Sequence, residues 1–330
     1  MIIFYASRSH LIDHLAPVFH QFGSEQAQFW VMPALIDYAW SKGIEAFPSE
    51  RQAGLYYPTA KGDAAIVCAS NDAQSVHKVN GHRKIILMEH GPGIVFPHNA
   101  GYAGGDGIRR KVNLFLPPNQ LVYNKTAQTM PGARQVIIGT PMLDKWSTIT
   151  FPLPTEVKVF ISFHWNGAGV QPEAGTALDH YKKVLPFLAK RTEFQIVGHG
   201  HPRIMDDLIP LYNDCEIQWT RDFEDVIRDG YVYLNDASST IYMAGIFMPV
   251  IFLNAPWFRK DINFGLRWWE YTDFGSHCEE PKELLGLIER TLANPFEYSE
   301  ERKKMRMDLF PYLGESSERA MNVIKEYLYG

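Results

Sequence analysis

The sequence predicts an α/β protein built from two doubly wound, Rossmann-like domains that face each other across a cleft. Three observations carry this expectation. The chain has 330 residues, more than one hydrophobic core comfortably serves. Short β-branched or apolar runs alternate with longer amphipathic stretches, the pattern of βαβ units on a mostly parallel sheet. And a proline-bearing break, Ser147-Thr148-Ile149-Thr150-Phe151-Pro152-Leu153-Pro154, interrupts the alternation near the midpoint, after which it starts again.

In the first half, strands are expected at Ile2–Ala6, Ala64–Ala69, Lys84–Met88, Gln120–Tyr123 and Gln135–Ile138. Helices are expected near His10–Phe22, Pro33–Lys42, Asp72–Asn80 and Lys125–Met130. In the second half the expected order is strand Val157–Phe163, helix Thr176–Lys190, strand Glu193–Gly198, helices Ile204–Tyr212 and Phe223–Asp229, strand Tyr231–Asn235, helix Ser239–Phe247 and strand Pro249–Leu253. The tail from Pro281 to Tyr329 has helical period, with Leu284, Leu285, Leu287, Ile288 and Leu292 on one stripe. The expected division is therefore 1–146 for the first domain, 147–156 for the linker and 157–300 for the second domain. Helices over 301–330 are expected to pack back on the first domain.

Composition narrows the function classes. With 46% hydrophobic and 21% charged residues the chain can bury a core. Its formal charge of −5 comes from interspersed acids and bases, so no basic face advertises nucleic-acid binding. Cys68, Cys215 and Cys278 are far apart and form no CxxC pair, which argues against a disulfide framework and a structural zinc site. No apolar run approaches the ~18 residues that span a bilayer, and the N-terminal run meets Arg8, His10 and Asp13 at once. The expected compartment is the cytoplasm. Peripheral contact with a membrane stays open through Arg302-Lys303-Lys304-Met305-Arg306, although this run reads more readily as a solvated helix face.

Ligands of open α/β sheets bind beyond the carboxyl ends of the strands, so the residues after each expected strand are the first to inspect. Asp236-Ala237-Ser238-Ser239-Thr240 follows a strand and opens a helix, where hydroxyls and free backbone N–H groups suit an anion. The same segment also reads as an ordinary helix N-cap. His199-Gly200-His201-Pro202-Arg203 adds imidazole donors and a guanidinium fork for phosphate oxygens. Its His-x-His spacing permits a metal, but no third ligand with matching spacing accompanies it, and no cofactor is expected. His164 and Asn166 are candidates to close over the same ligand, with Gly167 and Gly169 supplying backbone N–H groups.

In the first domain, Glu89-His90-Gly91-Pro92-Gly93 ends a strand. His90 is the candidate general base, since an imidazole near pKa 6.5 can take a hydroxyl proton from ~3 Å away; a structural histidine is the competing reading. Glu89 and Gly91 are candidates for the acceptor side. Asp106, within the glycine-rich stretch Gly101–Gly107, is a second candidate base, and Arg109 and Arg110 form a cationic rim beside Lys111. There is no G-x-G-x-x-G after the first strand, no G-x-x-x-x-G-K-[ST] and no G-x-S-x-G.

Taken in order from about Ala64 to Asn294, these segments resemble the CDP-glycerol glycerophosphotransferase family of wall teichoic acid synthesis, and more broadly the GT-B glycosyltransferases. The resemblance rests on His90-Gly91-Pro92-Gly93, on Gly139-Thr140-Pro141-Met142-Leu143-Asp144, and on His201-Pro202-Arg203. It rests also on Asp236-Ala237-Ser238-Ser239 followed by Pro249-Val250-Ile251-Phe252. It departs where Glu89 precedes His90 and Ile94-Val95-Phe96 follow Gly93, in place of a tryptophan and a basic residue. The resemblance implies a metal-independent transferase of GT-B type. His90 would be the base, and His201, Arg203, Ser238 and Ser239 would hold the diphosphate of a CDP- or UDP-linked donor. The acceptor would be a hydroxyl, with polymers and lipid-linked molecules among those allowed. A nucleotide-sugar epimerase, a DNA-base glycosyltransferase gripping DNA through Arg109, Arg110 and Lys111, and an inactive nucleotide-binding scaffold are the competing expectations.

Overall fold

The computed structural model describes residues 1–52, 54–80, 84–92, 107–149, 156–166, 175–236, 238–258 and 271–330. The chain forms two compact units, Met1–Thr148 with Asp308–Gly330, and Ile149–Met307.

The first unit holds β1 (Ile2–Ala6), α1 (Ser9–Phe22), β2 (Ala27–Val31), α2 (Ile36–Ser41), β3 (Ala46–Pro48), β4 (Glu50–Gln52), β5 (Leu55–Tyr57), β6 (Ala64–Val67), α3 (Ser70–Asn80), β7 (Ile85–Met88), β8 (Leu114–Leu116), α4 (Gln120–Thr126) and β9 (Arg134–Gln135). Seven strands form a sheet in the order β3-β2-β1-β6-β7-β8-β9, and all its pairs are parallel. β4 and β5 make a separate antiparallel hairpin. Because helices cover both faces, β1 is apolar throughout rather than alternating. Ile2, Phe4 and Ala6 enter one core and Ile3 and Tyr5 the other. Phe4 packs against Phe19, Phe22 and Phe29 with ring centroids 5.4, 5.8 and 5.9 Å away.

The second unit repeats the plan with β10 (Lys158–Phe163), α5 (Leu178–Tyr181), α6 (Leu185–Ala189), β11 (Gln195–Gly200), α7 (Met205–Asp214), β12 (Gln218–Trp219), α8 (Phe223–Asp229), β13 (Val232–Asn235), α9 (Thr240–Gly245), β14 (Val250–Leu253), β15 (Ser276–Cys278) and α10 (Leu284–Ala293). The order is β12-β11-β10-β13-β14-β15, again parallel. Two glycines let α7 lie close on β11. A Cβ on Gly198 would sit 2.5 Å from the Tyr212 ring, and one on Gly200 would sit 2.3 Å from Leu208 Cδ1. The tail continues as α11 (Ser299–Leu309) and α12 (Ser316–Tyr329). Ala320, Val323 and Ile324 of α12 complete the same core as Leu11, Leu15 and Phe19 of α1.

Several local expectations need correction. Gln120–Tyr123 is the start of α4 rather than a strand. Asn119 caps it, its Oδ1 accepting from Val122 N at 2.9 Å, so the apolar Leu121-Val122 pair belongs to a helix face. The strand lies earlier, at Leu114–Leu116, and Pro117-Pro118 end it. The expected helix over Lys125–Met130 shrinks to the end of α4 and one 3₁₀ turn. Thr176–Lys190 breaks into α5, a 3₁₀ turn and α6. Strands β2, β3, β4, β5, β8, β12 and β15 lie outside the expected set.

The Gly139–Asp144 segment has a structural task. Gly139 has φ +88°, and a Cβ there would meet Ser316 Oγ at 2.2 Å. Asp144 accepts from Gly314 N at 2.9 Å, Ser316 N at 3.2 Å, and both Ser317 N and Ser317 Oγ at 2.6 Å. It therefore caps α12 from a distant part of the chain. Asp144→Ala should release the start of α12 at about 1–3 kcal/mol, seen as faster amide exchange confined to Ser316–Val323. Gly198→Ala should lower the urea midpoint of the second unit by the equivalent of about 1–3 kcal/mol, because the Tyr212 ring must move.

Candidate functional site

In the second unit the register brings three expected segments side by side. Phe163 pairs with Gly200 and Ser162 with Asn235, so β10, β11 and β13 end level. The next residues are His164, His201 and Asp236. β10 lies at the point where the strand order reverses, where ligands of such sheets bind.

Asp236 fastens this edge. Its buried carboxylate accepts from His164 N at 2.8 Å, Thr176 Oγ1 at 2.9 Å and Ala177 N at 2.8 Å. Around it, the rings of His164 and His201 meet edge-on at 4.7 Å, and the Arg203 guanidinium lies 4.6 Å over Trp165. His201 Nδ1 accepts from Arg203 N at 3.1 Å, so the neutral ring carries its proton on Nε2, a donor. Arg203 and Asn166 are exposed, and His201 is half-buried. Trp165, which sequence reasoning passed over, is the platform on which Arg203 rests; its position directly after His164 was the available signal.

Ser238, Ser239 and Thr240 are half-buried at the start of α9. Ser238 Oγ accepts from Thr240 N at 3.3 Å and from Thr240 Oγ1 at 2.9 Å. His199 is set deeper. It is buried between Phe223 and Tyr233, its Nδ1 lies 2.9 Å from Ser162 Oγ, and burial lowers its pKa to about 4 against a small opposing pull from Asp225. Ala237, Gly167 and Gly169 lie outside the described residues.

In the first unit His90 donates from Nδ1 to the Cys68 carbonyl at 2.7 Å. A carbonyl only accepts, so the neutral ring keeps its lone pair on Nε2, as a base requires. Two residues absent from the sequence reading join it. The rings of His10 and His14, one turn apart on α1, lie 5.8 and 5.7 Å from that of His90. Burial, with smaller contributions from His90 and His10, holds His14 well below the ordinary histidine pKa. The i, i+4 pair just after the first strand was the signal that marked them. Glu89 and Arg109 make a buried ion pair at 2.9 Å, 2% and 1% exposed, with Glu89 Oε1 3.6 Å from His90 Nδ1. Gly91 turns the chain at φ +83°, and Asn119 Nδ2 holds the turn through Pro92 O at 2.7 Å while also reaching Leu309 O at 3.0 Å. Arg110 is exposed. Asp106 and the rest of Gly101–Asp106 lie outside the described residues.

Among the described residues no three His, Cys, Asp or Glu side chains converge closely enough to hold a metal ion. No helix among them is long and apolar enough to cross a membrane.

No protein-family model matches the sequence, and no curated protein matches it significantly. Solved structures do resemble it. The wall teichoic acid polymerase TagF soaked with CDPG is similar over 99% of this chain and 88% of its own, at TM-score 0.66 and 16% identity. The UDP-GlcNAc 2-epimerase from Neisseria meningitidis bound to UDP-GlcNAc is similar over 98% and 99%, at TM-score 0.62 and 12% identity. MurG from Acinetobacter baumannii is similar over 98% and 99%, at 0.51 and 14%. These likenesses establish the fold: the chain has the GT-B fold, with two Rossmann-like domains.

The buried His199 sets a pH signature. Above pH 6.5 it is neutral folded or unfolded. Below that, the unfolded chain takes up a proton that the folded chain refuses until about pH 4. Stability should fall by up to about 3 kcal/mol as pH drops through this window. Urea titrations at pH 4.5 and 7 should show this component in the wild type and its loss in His199→Gln.

Proposed function

We propose that the chain binds a nucleotide-diphosphate-activated donor at the carboxyl edge of β10, β11 and β13 and transfers a glycosyl or glycerophosphoryl group to a hydroxyl acceptor. The observation that carries this is the level ending of those three strands. It gathers a guanidinium, an imidazole Nε2–H and serine hydroxyls around one switch point. Such donors neutralise a diphosphate leaving group through charge-assisted hydrogen bonds. His201 and Arg203 hold the phosphates with Ser238 and Ser239, Thr240 backs Ser238, and Asn166 closes over the donor. His164 and Asp236 keep the edge in shape.

In this reading His90 is the general base. Its Nε2 takes the proton of the acceptor hydroxyl as that oxygen attacks, while Cys68 O fixes the tautomer and the Glu89–Arg109 pair supports the turn from behind. Arg110 belongs to the acceptor side, and Asp106 is the second candidate base. CDP- or UDP-linked molecules are the donors to try first, in keeping with the CDPG and UDP-GlcNAc named for TagF and for the Neisseria enzyme.

A nucleotide-sugar 2-epimerase is the second reading. It is favoured by the end-to-end likeness to the Neisseria epimerase. Incubating the protein with UDP-GlcNAc alone separates the two readings, because an epimerase consumes the sugar nucleotide with no acceptor present.

The transferase reading makes a paired prediction. His201→Ala and Arg203→Ala should each weaken CDP or UDP binding about 10- to 100-fold in calorimetry, the worth of a charge-assisted hydrogen bond. His90→Ala should leave that binding unchanged and slow turnover by about 10²–10⁴. Unchanged affinity in both donor-edge variants contradicts the assignment.

A further inference from the structure

Behind the donor edge runs a buried chain of hydroxyl groups with a definite direction. Ser162 is 1% exposed, Tyr233 and Asn235 0%. Thr240 Oγ1 donates to Ser238 Oγ at 2.9 Å, so its one hydrogen is committed. The 2.8 Å contact between Tyr233 OH and Thr240 Oγ1 must then be a donation from the tyrosine. With its own hydrogen committed, Tyr233 OH accepts from Asn235 Nδ2 at 3.3 Å. Deeper in the same core, Ser162 Oγ and His199 Nδ1 are paired at 2.9 Å. The protons of Tyr233 and Thr240 therefore both point toward Ser238.

At the end of the chain, Ser238 Oγ receives both Thr240 Oγ1 and Thr240 N, while Ser238 N is held by Asn235 Oδ1 at 2.9 Å. Its oxygen is thus saturated as an acceptor, and its own hydrogen goes to no acceptor among the described residues. What the side chain can offer a ligand is a proton.

We infer that Tyr233, acting through Thr240, is a positioning residue that aims the Ser238 hydroxyl outward as a hydrogen-bond donor to a phosphate oxygen of the donor. This rests on the proposed binding of a nucleoside diphosphate. Each link polarises the next, so the terminal O–H is a better donor than an isolated serine. Tyr233→Phe breaks the chain while keeping the ring in the core. Thr240 then has no donor behind it and is free to turn its hydrogen elsewhere, and Ser238 regains the choice of accepting or donating.

The test is a double-mutant cycle on binding of CDP and UDP, read by calorimetry, with Tyr233→Phe, Ser238→Ala and the double variant. Thr240→Val, which removes the middle hydroxyl, serves as a second entry point should Tyr233→Phe fail to fold. Tyr233→Phe is expected to weaken binding about five- to tenfold. The double variant should be no weaker than Ser238→Ala alone, because the tyrosine acts through that serine. Cytidine and uridine, which lack phosphate, should bind every variant alike. Additive losses, or an unchanged affinity in Tyr233→Phe, overturn the inference and leave the donor site standing. A wild type that binds neither nucleoside diphosphate overturns the proposed function and this inference with it.

Discussion

The carboxyl edge of β10, β11 and β13 depends on one carboxylate. Asp236 accepts the backbone N–H just past β10 and, with its other oxygen, the hydroxyl and N–H of Thr176 and Ala177. A parallel sheet leaves such groups orphaned at every strand end, and a buried orphan is costly. By taking them up, Asp236 lets the chain leave β10 in an irregular loop that carries Trp165 and Asn166. The first unit repeats the device. Ser7 N, just past β1, donates to Asp72 at 3.1 Å, and burial raises that carboxyl to a pKa of about 6 even though Ser7 and Arg8 pull it down. In both sheets the strand at which the order reverses is secured by an acid from the neighbouring βα unit, Asp236 just past β13 and Asp72 in the first turn of α3.

Polar groups near the two edges fall into two depths. At the donor edge, Arg203, Asn166 and His201 reach solvent, while His199, Ser162, Tyr233 and Asn235 lie behind them in the core. Around His90, the buried layer is the Glu89–Arg109 pair with His14. A buried ion pair is weak evidence of stability, but losing one partner leaves a stranded charge. Neighbouring backbone atoms fix the tautomers: Cys68 O settles which nitrogen of His90 carries its proton, and Arg203 N settles it for His201. The surface chemistry follows from those choices.

Much of this was legible in the sequence. The restart of the apolar alternation after Ser147–Pro154 marked two α/β halves, and inspection of strand ends picked out His90, His201, Arg203 and Ser238. What escaped were features set by distant residues. Leu121-Val122 reads as strand or helix until Asn119 is seen to cap it. Short strands such as Gln218–Trp219, exposed throughout, carry no period to detect. Glu89 and Arg109 read as acceptor ligands because a charged residue is ordinarily on the surface; their pairing across 20 positions hid them in the core. Asp144, noticed for its motif, proved to cap a helix over 170 positions later.

The account stands on the second unit's edge being a nucleoside diphosphate site. An NMR titration of the 15N-labelled protein with CDP and with UDP reads this directly. Binding there should give saturable shifts centred on His164–Asn166, His201–Arg203 and Ser238–Thr240, with the amides of β12 and α10 unmoved. Shifts centred elsewhere, or none with either nucleotide, would contradict it.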